Sequence, residues 1–414
     1  MNSCDKWLSS FYGKIPFEDY SLLDRAARTL LANVLAPSEG KLLPWHPWRG
    51  ITPSQLGFRG VWNWDSAFHA LGVSRWDAAL GREQILLFLD RMLPSGALPD
   101  VIFEDGNSVD DYGKPPVMAW AAAMVERRDP DEAFLRRVYP AFVVHEAYWR
   151  RERGGDKNGL FNYDSAHPDP EISLSHAKCE SGWDNSVRWD GGVNNLWPVD
   201  LNCYMVLFYR AFSSMAARLE LHDDVRRWDD AGKALAERIN SRLWCREEKA
   251  YLDFDFQGQA FVNALSPASF MPLFVGIASR EQAARMAEIA ASEDKFSPGW
   301  PTVAYDHPQF DPTSYWRGRS WLNVAYFALK GLKDYGFDKV ADAGRSTLLG
   351  WVRGEPSQIF ENYHPKTGEP LGVRQFSWSA VFTLEFLLNW DAGQPHAVSL
   401  ADQDSPRLKG ELSD

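Results

Sequence analysis

The chain has 414 residues and a net charge of −12, with 45% hydrophobic and 24% charged residues. These proportions belong to an ordinary globular chain and exclude a disordered one. The acidic balance, with no block of Lys and Arg, excludes nucleic-acid binding through a basic surface, and no apolar run reaches the roughly eighteen residues that span a bilayer.

Along the chain, apolar residues at helical spacing predict about twelve helices, over 21–35, 65–76, 77–93, 115–126, 131–151, 199–219, 223–244, 267–277, 280–292, 316–333, 340–352 and 378–390. Strand patterns are scarce, and no Gly-rich phosphate loop follows one. The connections at 42–61, 98–114, 154–197, 296–315 and 360–377 are long and hold much of the Gly, Pro, Asp and Trp. Loops of that length in a compact domain are functional or disordered, and these are too aromatic for disorder. A solenoid would show repeats and a bundle would have shorter loops. The expected fold is all-α, an (α/α)6 barrel with long functional loops at one end. It forms one domain over 1–395, followed by a polar tail at 396–414.

Nineteen Trp residues suggest carbohydrate chemistry, because an indole offers a broad apolar face to the C–H face of a sugar. The four cysteines, Cys4, Cys179, Cys203 and Cys245, show no paired spacing, and there is no His-Glu-x-x-His. Neither a metal nor another cofactor is expected. The first ten residues do not read as a signal peptide, so the expected compartment is the cytoplasm.

Three segments concentrate carboxylates beside aromatics. GVWNWDSAFHALG sets Trp62, Trp64 and Asp65 at the mouth of a helix, where Asp65 is either an N-cap or a grip for sugar hydroxyls. CESGWDNSVRWDGG carries Glu180, Asp184 and Asp190, with Trp183 able to desolvate its neighbour and hold it protonated, and Arg188 able to pair with a loop carboxylate. FENYHPKTGEPLGVRQFSW places Glu361 between Phe360 and Tyr363, a setting for a positioned base.

Taken in order, these motifs resemble trehalases and the related glycoside hydrolase family 63 enzymes, a group that includes bacterial mannosylglycerate and glucosylglycerate hydrolases and α-glucosidases. The resemblance rests on Trp62-Asn-Trp64-Asp65, Glu180-Ser-Gly-Trp-Asp184-Asn-Ser-x-Arg-Trp, Val199-Asp200-Leu201-Asn202, Tyr315-Trp316-Arg317-Gly318, Glu361-Asn-Tyr363, Pro365-x-Thr-Gly368 and Gln375-Phe-Ser-Trp378. It implies an inverting hydrolase with Asp184 as general acid and Glu361 as general base. It further implies that Asp65 grips the cleaved sugar and that Trp62, Trp64, Trp316 and Trp378 wall the pocket. Arg317 would hold a substrate hydroxyl, orient a carboxylate or form a structural ion pair. Phe58, Lys114, Trp183, Arg188, Tyr315 and Gln375 complete the expected substrate contacts.

The chain also departs from the group. Lys114-Pro-Pro replaces the Gln-Pro-Pro of glycerate-releasing members, Phe58 stands where they often have Tyr, and 190–198 is short for their glycerate-handling insertion. The Gly-rich Glu-Tyr segment of trehalases is absent. The expected substrate is therefore a small α-glycoside, best an α-glucoside, either a disaccharide or a glycosylated small molecule. The expected partner is a small carbohydrate, with neither nucleic acid nor membrane, and homo-oligomerisation is left open. The alternatives are a sugar epimerase or a phosphorolytic enzyme on a helical barrel, or a sugar-binding protein without turnover.

Overall fold

A computed structural model describes residues 2–35, 47–163, 167–192 and 194–393. The tail expected at 396–414 lies outside them. Twelve helices of the described residues form two concentric rings. The outer ring is α2 (Phe17–Ala32), α4 (Ala78–Leu89), α6 (Glu132–Glu152), α10 (His222–Arg242), α12 (Arg280–Ala291) and α14 (Asp338–Gly354). The inner ring is α3 (Asn63–Val73), α5 (Met118–Arg128), α9 (Val199–Arg218), α11 (Met271–Phe274), α13 (Leu322–Asp334) and α15 (Ser377–Leu388). Each inner helix packs on the next, and α15 returns to α3 to close the ring. This is the expected (α/α)6 barrel. Three further helices, α1 (Ser3–Ser9), α7 (Gly155–Asn158) and α8 (Pro170–Ser181), lie outside the rings.

Sequence patterning decides which ring a helix joins. In α10 the buried residues are Trp228, Gly232, Leu235 and Ile239, one stripe at helical spacing, while the other face is charged. By contrast, α3 is buried at every position, and α13 from Leu322 to Leu332, because small or apolar residues occupy every side of both helices, with a few buried polar groups among them. Outer helices α4, α6 and α12 start on side-chain caps at Asp77, Asp131 and Ser279. The inner helices α3, α5, α9, α13 and α15 start on Trp62, Val117, Pro198, Trp321 and Phe376, none of which supplies a side-chain cap. All of these inner N-termini follow the long loops, so the loops and the positive helix ends gather at one mouth of the barrel.

The helix boundaries differ from the expected ones for local reasons. The helix expected at 115–126 begins at Met118, after Pro115 and Pro116, since a residue before proline is driven out of helical geometry. The one expected at 316–333 divides into a 3-10 turn at Tyr315–Arg317 and α13, separated by residues 318–321. That expected at 267–277 is a 3-10 turn, Pro267–Phe270, running into the single turn of α11. The loop expected at 154–197 contains α8, whose start is marked by Asp169 as N-cap and Pro170 at the first helical position.

Candidate active site

The loops enclose a cavity of about 280 Å³ at the mouth of the inner ring. Its lining includes Phe58, Trp62, Trp64, Asp65, Lys114, Asp184, Tyr315, Trp316, Glu361 and Trp378, all expected from the sequence. Pro53, Asp100, Cys179, Gly182 and Phe376 also line it and were not singled out as contacts. Asp184 and Glu361, separated by most of the chain's second half, thus face one hollow.

The segment that presents Asp184 is fixed at both ends. It leaves the C-terminus of α8 through Gly182, which has a φ of 71°; a Cβ there would lie 2.5 Å from the Trp64 ring. Only glycine combines that left-handed turn with such close approach. Just beyond, Asn185 accepts from the Trp316 N–H at 2.9 Å and donates to the Ser314 hydroxyl at 3.2 Å. Upstream, Glu180 is fully buried, holds Arg153 in a forked pair and accepts from the Gly113 N–H at 3.3 Å. That bond ties the Lys114 loop to the Asp184 loop.

Glu361 lies on a hairpin of Phe360–Tyr363 and Pro370–Arg374, with a register shift between Phe360 and Asn362. Its Oε1 accepts from the Tyr315 hydroxyl at 2.8 Å and its Oε2 from the Val373 N–H at 3.0 Å. Gly372, also at positive φ, leaves the room that Oε2 occupies, for a Cβ there would sit 2.3 Å from it. The Ser379 hydroxyl of α15 donates to the Glu361 carbonyl at 3.0 Å, and Tyr363 and Ser320 exchange backbone hydrogen bonds. Two bonds to the carboxylate and one to its backbone carbonyl, on a strand pinned at Tyr363, leave Glu361 little freedom.

Burial dominates the electrostatics. It pushes the Asp184 carboxyl up, against the opposing charge of Lys114. It pushes Glu361 up as well, opposed by the Val373 N–H and the Tyr315 hydroxyl. Asp65 is driven up to about 8 by burial, which outweighs Lys114. Asp100 is pushed up to about 6 by burial, although the Lys114 ammonium is 3.1 Å from it. Lys114 also donates to the Cys179 carbonyl at 2.5 Å. Among the described residues the cavity therefore holds one paired cation and four carboxyls that ionise reluctantly.

Asp65 is the third residue of α3, and Trp62 occupies the cap position, so the N-cap alternative for Asp65 is not what the structure adopts. Four expected contacts do not line the cavity. Arg188 is buried between Asp200 at 3.1 Å and Asp253 at 3.0 Å, anchoring the loop to the start of α9, where Asp253 accepts from the Val199 N–H. Trp183 packs against Trp316, ring centroids 5.1 Å apart, with the Arg188 guanidinium 5.0 Å from its ring centre. Arg317 makes a forked pair with Asp190, both bonds 2.7 Å, which is the structural role left open for it. Gln375, at a φ of 53°, gives its carbonyl to the buried Asn33 amide and shapes the turn into α15. Among the described residues no group of three or more His, Cys, Asp or Glu is placed to hold a metal ion, and no helix is long and apolar enough to cross a membrane.

Comparison with known proteins agrees with the barrel and its loops. The family described as the mannosylglycerate hydrolase MGH1-like glycoside hydrolase domain matches residues 59–379. A mannosylglycerate hydrolase of Thermus thermophilus is 26% identical, over 82% of this chain and 95% of its own length. A periplasmic trehalase of Pseudomonas aeruginosa is 27% identical, over 86% of this chain and 74% of its own. In three dimensions a family 63 mannosylglycerate hydrolase of Thermus thermophilus, solved in complex with glucose, superposes with a TM-score of 0.75 at 23% identity, over 89% of this chain and all of that one. The chain belongs to the MGH1-like glycoside hydrolase family and is a glycosidase.

Proposed function

We propose that the enzyme hydrolyses a small α-glycoside, an α-glucoside such as a disaccharide or a glycosylated small molecule, with inversion at the anomeric carbon. Asp184 is the general acid and protonates the leaving oxygen; Glu361 is the general base and takes a proton from the attacking water on the opposite face. The observation that carries this reading is that Asp184, a half-buried acid, and Glu361, a doubly hydrogen-bonded carboxylate, line one cavity. Burial favours the protonated form of Asp184 that a donor needs. The two bonds to Glu361 stabilise the ionised form that a base needs. Asp65 grips hydroxyls of the bound sugar, and Trp62, Trp64, Trp316 and Trp378 form its apolar wall.

A volume of about 280 Å³ is at the small end of ligand pockets, which suits one sugar ring with a compact leaving group better than a polymer. The relatives' names, mannosylglycerate hydrolase and trehalase, also specify small glycosides. All four cysteines are free thiols, which suits a reducing compartment such as the cytoplasm. The test is incubation with a panel of α-linked disaccharides and glycosylated acids, followed by proton NMR from the first minutes. The β-anomer of the released sugar should accumulate first. First release of the α-anomer would defeat the two-carboxyl mechanism, and no turnover of any panel member would defeat the substrate class.

A further inference from the structure

Arg319 lies two residues after Arg317 in the same loop, yet its surroundings differ. Arg317 is consumed by its forked pair with Asp190. The Arg319 guanidinium has no carboxylate within ion-pair distance among the described residues. It donates instead to neutral groups: Nη1 to the Asn362 side-chain oxygen at 3.3 Å, and Nη2 to the Thr313 carbonyl at 2.5 Å. It also stands 5.9 Å from the centre of the Tyr315 ring. Tyr315 and Asn362 are the two residues that flank Glu361, one through its hydroxyl and one along the strand. The backbone is continuous with this arrangement, since Ser320, next to Arg319, is paired with Tyr363.

We infer that Arg319 is a positioning residue for the general base, bracing Tyr315 and Asn362 on either side of Glu361 and holding a positive charge close to its carboxylate. The inference rests on the reading of Glu361 as the base. Glu361 is faced by Asp184 from the loop after α8, by Asp65 from α3 and by Lys114 from the loop before α5. Tyr315 and Arg319 face it from the turn before α13, and the Val373 N–H from its own hairpin, while α15 offers only the Ser379 hydroxyl to its backbone. Burial and Asp184 favour the protonated, inactive form of the base; the Val373 and Tyr315 bonds and the Arg319 charge oppose them. Arg319 is the one full positive charge among those opposing groups. A base that must be ionised loses activity as pH falls through its pKa. Removal of the Arg319 charge raises that pKa and moves the acidic limb of the profile upward.

The experiment is the pH dependence of kcat/KM for Arg319→Gln, Arg319→Met and Arg319→Lys, on the α-glycoside that the anomer assay shows to be turned over, with a thermal melt of each variant. In the Gln and Met variants the acidic limb should rise by about 0.5–1 pH unit and kcat should fall about tenfold, with KM unchanged. Arg319→Lys keeps the charge and should restore the limb to its wild-type position. A folded Gln or Met variant with an unmoved limb overturns the inference, and so does a Lys variant displaced like the neutral ones. A raised KM with unchanged kcat overturns it in favour of a substrate contact. Glu361→Ala is run alongside. If it keeps the wild-type rate, the base assignment itself fails; if it is inactive while the Arg319→Gln limb stays put, only the role of Arg319 fails.

Discussion

At the N-terminal end of the inner ring, among the described residues, four carboxyls, Asp65, Asp100, Asp184 and Glu361, share a cavity with one ammonium, that of Lys114. At the C-terminal end one carboxylate, Glu385, lies between two guanidiniums, with Arg75 at 2.5 Å and Arg128 at 3.6 Å. Both clusters are packed in aromatic side chains, and the helix dipoles favour each, anions at the positive ends and cations at the negative ends. The outcomes differ. Burial would raise Glu385, but Arg75 and Arg128 more than offset it and hold its carboxyl below the ordinary range. At the other end one paired lysine cannot offset the burial of four acids, and Asp65, Asp100, Asp184 and Glu361 are all raised. The void beside Glu385 is only about 10 Å³, against about 280 Å³ at the mouth. A carboxylate fully countered by guanidiniums and closely packed marks a structural cluster. Acids raised by burial around an open volume fit the proposed chemistry, because proton transfer to a bound substrate calls for perturbed carboxyls facing a cavity.

Substitution at each end should separate activity from stability. Asp184→Ala and Glu361→Ala should each lower kcat by at least about 10³-fold while the thermal melt stays close to wild type, since among the described residues neither carboxyl makes an ion pair within contact distance. A wild-type rate in either variant would remove that residue from the mechanism. Glu385→Gln reverses the pattern. It leaves two half-buried arginines without their counter-charge and should cost about 3 kcal/mol in a urea melt, with kcat of the folded fraction unchanged. Loss of activity at intact stability would mean that the two ends are not functionally distinct.

The double ring was legible because it depends on local patterning. The stripe of α10 and the uniform burial of α3 follow from which residues recur every three or four positions. The carboxylates beside tryptophan were legible too, since Trp62, Trp64 and Asp65 are adjacent. What escaped depends on partners remote in sequence. Whether an arginine touches substrate or a carboxylate is fixed by Asp200 and Asp253 for Arg188, and by Asp190, 127 residues away, for Arg317. Asp100 precedes a short strand with no motif of its own, and it reaches the cavity only because that strand pairs with Gly60–Trp62. The helix at Pro170–Ser181 was hidden by its weak apolar stripe, although Asp169-Pro170 was a readable start.

The smallest expected effect concerns what the open end costs the fold. Asp65 has a pKa of about 8 in the folded cavity, well above the value of an exposed aspartate, chiefly because it is buried. The folded state therefore holds a proton that the unfolded chain has already released. Stability is complete below the unfolded pKa and declines as pH rises toward 8, after which the loss is constant. Asn at this position cannot ionise and escapes the decline. Asp65→Asn should match the wild-type melting temperature near pH 4 and exceed it by about 3 °C near pH 9, even as it loses activity through the missing grip on the sugar. Scanning calorimetry at a series of pH values decides the matter. A gap that stays constant, or narrows, as pH rises would mean that Asp65 is already ionised and compensated, and the contrast between the acid-rich mouth and the cation-countered base of the barrel would shrink accordingly.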